Sequence, residues 1–325
     1  MGNIKSKNNN NSNLNARWEM KKSNVHVRKK SFGIGSQSPV LWLLPLLMVL
    51  CVFYLIPLLD VIKTSFTEAT MTNPGGNGFT LASYAKVFED KNFGQIMYAT
   101  FFFVGFSVIF QFVLGFLIAL VVDVGEQKRL RGTVMTRTIS LVSWAIPGVA
   151  IGIIWKIMYA ETGSGILNYL LSVMGHKEMA FLSNPNIALW STSIANVWRG
   201  TAQSMILLYA GIKTVDRQLL EAASIDGANA ISRLRHIILP GMRPVIMINL
   251  LLNVINTFNT FDMIMPLTGG GPGRATEVLV LSVYRNIFQQ LDLGKGSAVA
   301  MLLLAINVFF SVLYFIANRR MNHEG

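Results

Sequence analysis

Six stretches of this chain run for about 20 residues with almost no charge, and a polypeptide built that way must bury them in a membrane. A hydrocarbon core about 30 Å thick is crossed by roughly 20 apolar residues in helical form. Val40–Leu59, Ile96–Val122, Thr138–Trp155, Pro244–Phe261 and Ser297–Asn318 hold no charged residue, and Ile187–Ile212 holds only Arg199. The pattern predicts an all-α integral membrane protein with six transmembrane helices. Pro45, Pro57 and Pro147 fall inside the runs and are expected to be tolerated, because neighbouring helices satisfy the freed carbonyls. Charged residues make up 14% of the chain, against about 25% in soluble domains, which excludes a water-soluble globular enzyme.

The remaining charge is lopsided, with 28 basic and 16 acidic residues. A nucleic-acid surface and a membrane topology signal both produce such an excess, and its placement decides between them. If the N-terminus is inside, segments 1–39, 123–137, 213–243 and 319–325 hold 19 basic residues, and segments 60–95, 156–186 and 262–296 hold eight. Both termini are therefore expected in the cytoplasm, with the lipid bilayer and no nucleic acid as partner. Residues 1–38 read as a basic, Asn-rich, disordered cytoplasmic tail, 39–318 as the six-helix domain with a cytoplasmic loop at 214–242, and 319–325 as a short cytoplasmic tail. Cys51 stands alone, and His26, His176, His236 and His323 are scattered, so no metal site and no catalytic constellation is expected. The chain should not be an enzyme.

The longest inner loop places Leu219, Leu220 and Ala223 on one side of a short helix, with Gly227 turning the chain and Pro240 ending a second helix. A flat helix–Gly–helix suits the grip of another protein, and it equally suits a connector folded under its own bundle. Glu221-Ala222-Ala223, then Gly227, nine further residues and Ile237-x-Leu239-Pro240 resemble the EAA loop of permeases of binding-protein-dependent ABC importers. Including Asp226 and Ala228, the string resembles the carbohydrate-uptake branch. Thr268–Pro272, Asp292–Ala298, Gly165–Asn168 and Trp198-Arg199-Gly200 are similar to the MalF/UgpA type of subunit.

The resemblance implies the type I ABC importer permease fold in a bacterial or archaeal cell membrane. It implies four kinds of partner: a second homologous permease of the MalG type, two ATP-binding subunits, an extracytoplasmic solute-binding protein and a sugar, of di- or oligosaccharide size. It makes Glu221 and Gly227, with Ala222, Ala223, Asp226, Ile237, Leu239 and Pro240, the ATPase-coupling residues. ATP and Mg belong to the partner ATPase, since this chain has no G-x-x-x-x-G-K-[ST] pattern.

Polar side chains at mid-membrane mark a path or a helix contact. Asn249, Asn253, Asn256, Thr257 and Thr260 share one face of the fifth run, and Asn196, Arg199, Gly200 and Gln203 share one of the fourth. Amides both donate and accept, so they match sugar hydroxyls, with Trp198, Phe258 and Phe261 as stacking candidates. Interhelical hydrogen bonding is the competing role. Arg199, costing about 3 kcal/mol at mid-span, has three uses: an anionic substrate, the partner subunit, or carbonyls near Gly200. Asp262 reads as an interfacial carboxylate. An ABC permease for glycerol phosphate or another polyol-like anion stays open as the alternative, with an ion-coupled secondary transporter behind it.

Overall fold

A computed structural model describes residues 39–162 and 165–321, so the basic tail expected over 1–38 and the last four residues lie outside the described residues. Residues up to Pro57 form one compact unit and those from Leu58 a second. The described residues are mostly helical and include no strand, only an isolated bridge between Thr70 and Asp292.

The first unit contains α1 (Pro39–Leu50), with Pro45 inside it, and a π-helical turn (Cys51–Leu55) that leads into α2 (Ile56–Ser65). Pro57 has no amide hydrogen for the carbonyl four residues back, and its ring crowds that carbonyl. The chain answers with one wider turn, in which the Ile56 amide donates to the Cys51 carbonyl, and the helix continues.

From Leu58 the elements are α3 (Ala82–Phe88), α4 (Phe93–Gln127), α5 (Thr133–Ala145), α6 (Gly148–Met158), α7 (Ile166–Val173), α8 (Pro185–Lys213), α9 (Arg217–Ile225), α10 (Ala230–Arg233) and α11 (Leu239–Gly241). After them come α12 (Arg243–Phe258), α13 (Ile264–Leu267), α14 (Leu279–Tyr284) and α15 (Leu293–Met321). Two further π-helical turns, Leu234–Ile238 and Arg285–Gln289, follow α10 and α14. Among the described residues, three helices are individually long and apolar enough to cross a membrane: Trp42–Ser65, Phe93–Gln127 and Leu293–Arg319. Two bent pairs raise the number to five. The fourth run forms the 29-residue α8, capped by Asn184 with Pro185 at its first position, but its many amides and hydroxyls keep it below the apolarity of a lipid-facing span.

Pro147 does not pass through a straight helix as expected. Ile146, directly before it, is forced into extended backbone (ψ 128°), and α5 and α6 meet at 102°. Pro240 also departs from its expected role as a terminator. The π turn before it, closed by the Leu239 amide on the Leu234 carbonyl, absorbs the proline. The break comes two residues later at Met242, where the path into α12 bends by 73°.

Two apolar clusters bracket a polar layer. The larger joins Phe103 of α4, Ile151 of α6, Leu189 of α8, Phe258 of α12 and Leu279 of α14. The smaller joins Ala119 of α4, Met205 and Leu208 of α8 and Met242. Between them, α4, α8 and α12 carry Gln111, Asn196–Gln203 and Asn249–Thr257. At the Gln127 end of α4, Lys213 bridges Asp123 and Glu126, Arg137 reaches Glu126, and the Tyr209 ring lies 4.9 Å from the Arg137 guanidinium and 5.0 Å from the Lys213 ammonium.

An ion network ties the loops at the Phe93 end. Lys295 donates to Asp90 at 2.8 Å, Arg274 lies 3.6 Å from Asp90, and Arg274 and Arg285 both reach the buried Glu277. Asn168 performs a similar service for its own loop. It donates to the carbonyls of Ala160 and Met179 and accepts from the Met179 amide. Burial would raise the Asp90 carboxyl, but the Lys295 and Asn92 hydrogen bonds and the Lys295 charge outweigh it and hold the group at about 2. Because the folded value is depressed, its contribution is complete above the ordinary carboxylate range and is lost as pH falls toward 2. The shift corresponds to about 2 kcal/mol. Thermal melts of the purified protein are expected to show Asp90→Asn losing stability at pH 6 and converging on the wild type as pH drops below 4.

Candidate functional site

A cavity of about 410 Å³ opens in the polar layer. Eight of the nine residues singled out on the two stripes line it: Asn196, Arg199, Gly200 and Gln203 from α8, and Asn253, Asn256, Thr257 and Thr260 from α12 and its exit turn. Asn249, on the same α12 stripe, lies apart from the cavity, fully buried, and neither amide atom has a hydrogen-bond partner among the described residues. The helix ends at Phe258, so Thr260 stands on the turn beyond it, its hydroxyl donating to the Asn256 carbonyl at 2.9 Å.

Two of the amides join the helices. Asn253 donates to the Ser204 hydroxyl at 2.7 Å and Asn256 to the Gln203 side-chain carbonyl at 3.1 Å, so each ties α12 to α8. Such bonds contribute about 1 kcal/mol or less. Asn196 is 3% exposed and its amide nitrogen has no partner among the described residues, which leaves an unused donor.

Three lining residues, Gln111, Trp144 and Asn259, escaped the sequence reading, and a fourth, Asp262, was read there as an interfacial carboxylate. Gln111 fills the notch left by Gly200, where an added Cβ would lie 2.2 Å from its side chain, and it donates to the Asn196 carbonyl at 3.0 Å. Its signal was present in the sequence, as the one amide in the 27-residue run Ile96–Val122. Trp144 supplies the aromatic wall. The three stacking candidates do not. Trp198 sits about a quarter-turn from Arg199 and meets Trp155 at 6.2 Å, Phe258 is buried against Phe101 and Phe310, and Phe261 packs on Tyr284.

Asp262 corrects the reading of Arg199. The guanidinium forms a two-pronged pair with it, both N–H···O distances 2.9 Å, so the partner of Arg199 lies in its own chain. The Asp262 carboxylate in turn rests against Gly148, the first residue of α6, where a Cβ would lie 1.8 Å from Oδ2. At Gly152, one turn on, a Cβ would meet the Met263 carbonyl at 2.5 Å. The Gly148-x-x-x-Gly152 spacing thus lets the Asp262–Met263 backbone press onto α6.

The loop at 214–242 forms a separate feature. Asp216 caps α9 by accepting from the Gln218 amide, Gly227 turns with φ +79°, and Asn229 caps α10 by accepting from the Ser232 amide. Leu220 joins Leu120 and Val124 of α4, with Leu234 and Ile238, around a groove of about 300 Å³. The apolar residues of α9 therefore divide: Leu220 turns toward α4, while Leu219 (57% exposed) and Ile225 (87% exposed) face outward beside the exposed Glu221, Ala222, Asp226 and Gly227. Ala223, Ile237, Leu239 and Pro240 are half-buried. The loop is both seated on its own helices and open on one face.

Apolar helices broken around a cavity lined by amides, hydroxyls and one Arg–Asp pair, with a helical loop open at one end, define a transmembrane permease. Residues 111–323 match the family described as "Binding-protein-dependent transport system inner membrane component", and the chain belongs to that family. It is 33% identical, over 86% of its length and 92% of the relative's, to the trehalose/maltose transport system permease protein MalF of Thermococcus litoralis. With the sn-glycerol-3-phosphate transport system permease protein UgpA of Yersinia enterocolitica it shares 27% identity over 85% and 92%. Its fold is similar to a chain of a bacterial ABC transporter involved in import of the acidic polysaccharide alginate, with TM-score 0.75 and 18% identity over 95% of this chain and 98% of that one.

Proposed function

We propose that the chain is one of two permease subunits of an ATP-driven importer that moves a di- or oligosaccharide across a bacterial or archaeal cell membrane. It crosses six times, α8 being the most polar span, with both termini cytoplasmic. The carrying observation is that eight of the nine residues of the α8 and α12 stripes, seven of them polar, meet in a single cavity. Amide and hydroxyl groups that donate and accept on the same wall suit a hydroxyl-rich solute, and the trehalose/maltose permease among the relatives supports that choice. The MalG-type companion subunit completes the pathway, and an extracytoplasmic solute-binding protein delivers the sugar.

The open face of α9 is the coupling surface for one of two ATP-binding subunits. Glu221 and Gly227 lead it, Ala222, Ala223 and Asp226 shape it, and the Ile237-x-Leu239-Pro240 stretch carries movement into α12. ATP and Mg are held by those partners, and this chain does no chemistry of its own. Closure of the ATPase pair moves α9 and α12 as rigid bodies and changes access to the cavity. In proteoliposomes holding the assembled complex, uptake of labelled trehalose or maltose is expected only with both binding protein outside and ATP on the ATPase side. Uptake driven by an ion gradient without ATP would overturn this assignment.

A further inference from the structure

We propose that Asp262 is the charge-selectivity residue of the cavity: by occupying Arg199 it leaves the wall formally neutral and confines the path to uncharged, hydroxyl-rich solutes. This rests on the reading of the cavity as the solute path. Family membership does not decide the matter, since the relatives include permeases named for a neutral disaccharide and for a phosphate ester.

Among the described residues, Arg199 and Asp262 are the only charged ones lining the cavity, and they are opposite in sign. Their pairing uses both terminal nitrogens of the guanidinium and both oxygens of the carboxylate, at 2.9 Å each, the geometry that binds a carboxylate most specifically. An incoming phosphate or carboxylate meets an Arg199 whose fork is already taken and an Asp262 that repels it. An incoming cation meets the reverse. Asp262 is also held from behind, against Gly148 at the start of the 11-residue α6, where a helix N-terminus favours negative charge. The rest of the wall, with Gln203, Asn253 and Asn256 among it, offers hydrogen bonds that carry no sign.

The test is equilibrium binding to the assembled transporter in nanodiscs at pH 7. One probe is maltose, and the other is a disaccharide of the same size with a terminal glucuronate. The wild type is expected to favour maltose by about tenfold or more, as expected for one uncompensated charge in a partly dehydrated site. Asp262→Asn should shift that ratio toward the glucuronate by about tenfold or more, and adding Arg199→Gln should restore the preference for maltose. Gly148→Ala, whose methyl must displace the Asp262 carboxylate, gives a second route should Asp262→Asn fail to assemble, with a smaller shift in the same direction. A ratio unchanged in Asp262→Asn, or a wild type that prefers the glucuronate, overturns the proposal. A wild type that binds neither probe overturns the cavity reading itself.

Discussion

Gly227→Val is expected to abolish sugar uptake while leaving the protein in the membrane at wild-type amounts. Gly227 adopts φ +79°, a conformation that β-branched residues avoid at a cost of about 1–3 kcal/mol. An added Cβ would meet nothing within 4 Å, so the effect is one of backbone strain, without a packing clash, and helix insertion is spared. The turn it makes is specific. The Gly227 amide donates to the Ser224 carbonyl and the Ala228 amide to the Ala223 carbonyl, closing α9, and Asn229 starts α10 two residues later. A residue that relaxes to negative φ swings α9, with Glu221 and Ile225, out of line with α10 and the path into α12. Gly227→Asn, which tolerates this backbone, should retain most uptake, and Gly227→Asp should fall between. Uptake and binding-protein-stimulated ATPase activity, normalised to membrane content, measure the series. Full transport by the valine variant would remove Gly227 from the coupling path.

Glu277→Gln should be strongly destabilising. The carboxylate is fully buried and accepts from Arg274 at 2.7 and 3.0 Å and from Arg285 at 2.6 Å. Removing its charge leaves Arg285 without its counter-ion and Arg274 with only the more distant Asp90, and breaking such a buried pair costs about 3–5 kcal/mol. The exposed Lys86–Glu68 pair, 2.9 Å apart, offers the contrast: Lys86→Ala should change stability by about 1 kcal/mol or less. Thermal unfolding of the purified complex would compare them, and equal shifts would contradict the burial argument.

The cavity was largely legible in the sequence because its residues obey two rules at once. Asn196, Arg199, Gly200 and Gln203 follow helical spacing, and polar groups at that depth are costly unless used. Asp262 was not legible as the partner of Arg199. It lies 63 residues away on an exit turn, where no periodicity points, and only the close approach over Gly148 brings it in. The prolines show a second limit. Pro57 and Pro240 are absorbed by π turns upstream, whereas Pro147 produces the 102° bend, and the sequence pattern around each run does not separate these outcomes. The EAA loop was readable as a motif, yet the division of its apolar residues between α4 and open space depends on a tertiary contact between Leu220 and α4.

The bend between α5 and α6 carries one further consequence. Helix ends leave carbonyls and amides without intrahelical partners, and lipid cannot supply them. These two ends meet where Trp144 and Asp262 line the cavity, at the depth of the amide layer. Dehydrating this space with nothing in it would strand backbone dipoles as well as side chains, so the empty state has to stay wet. Arriving hydroxyls then take over hydrogen bonds that water was making, and the free energy of loading is a difference between two well-hydrated conditions. Import through such a chain is, at this point of its cycle, a solvent exchange.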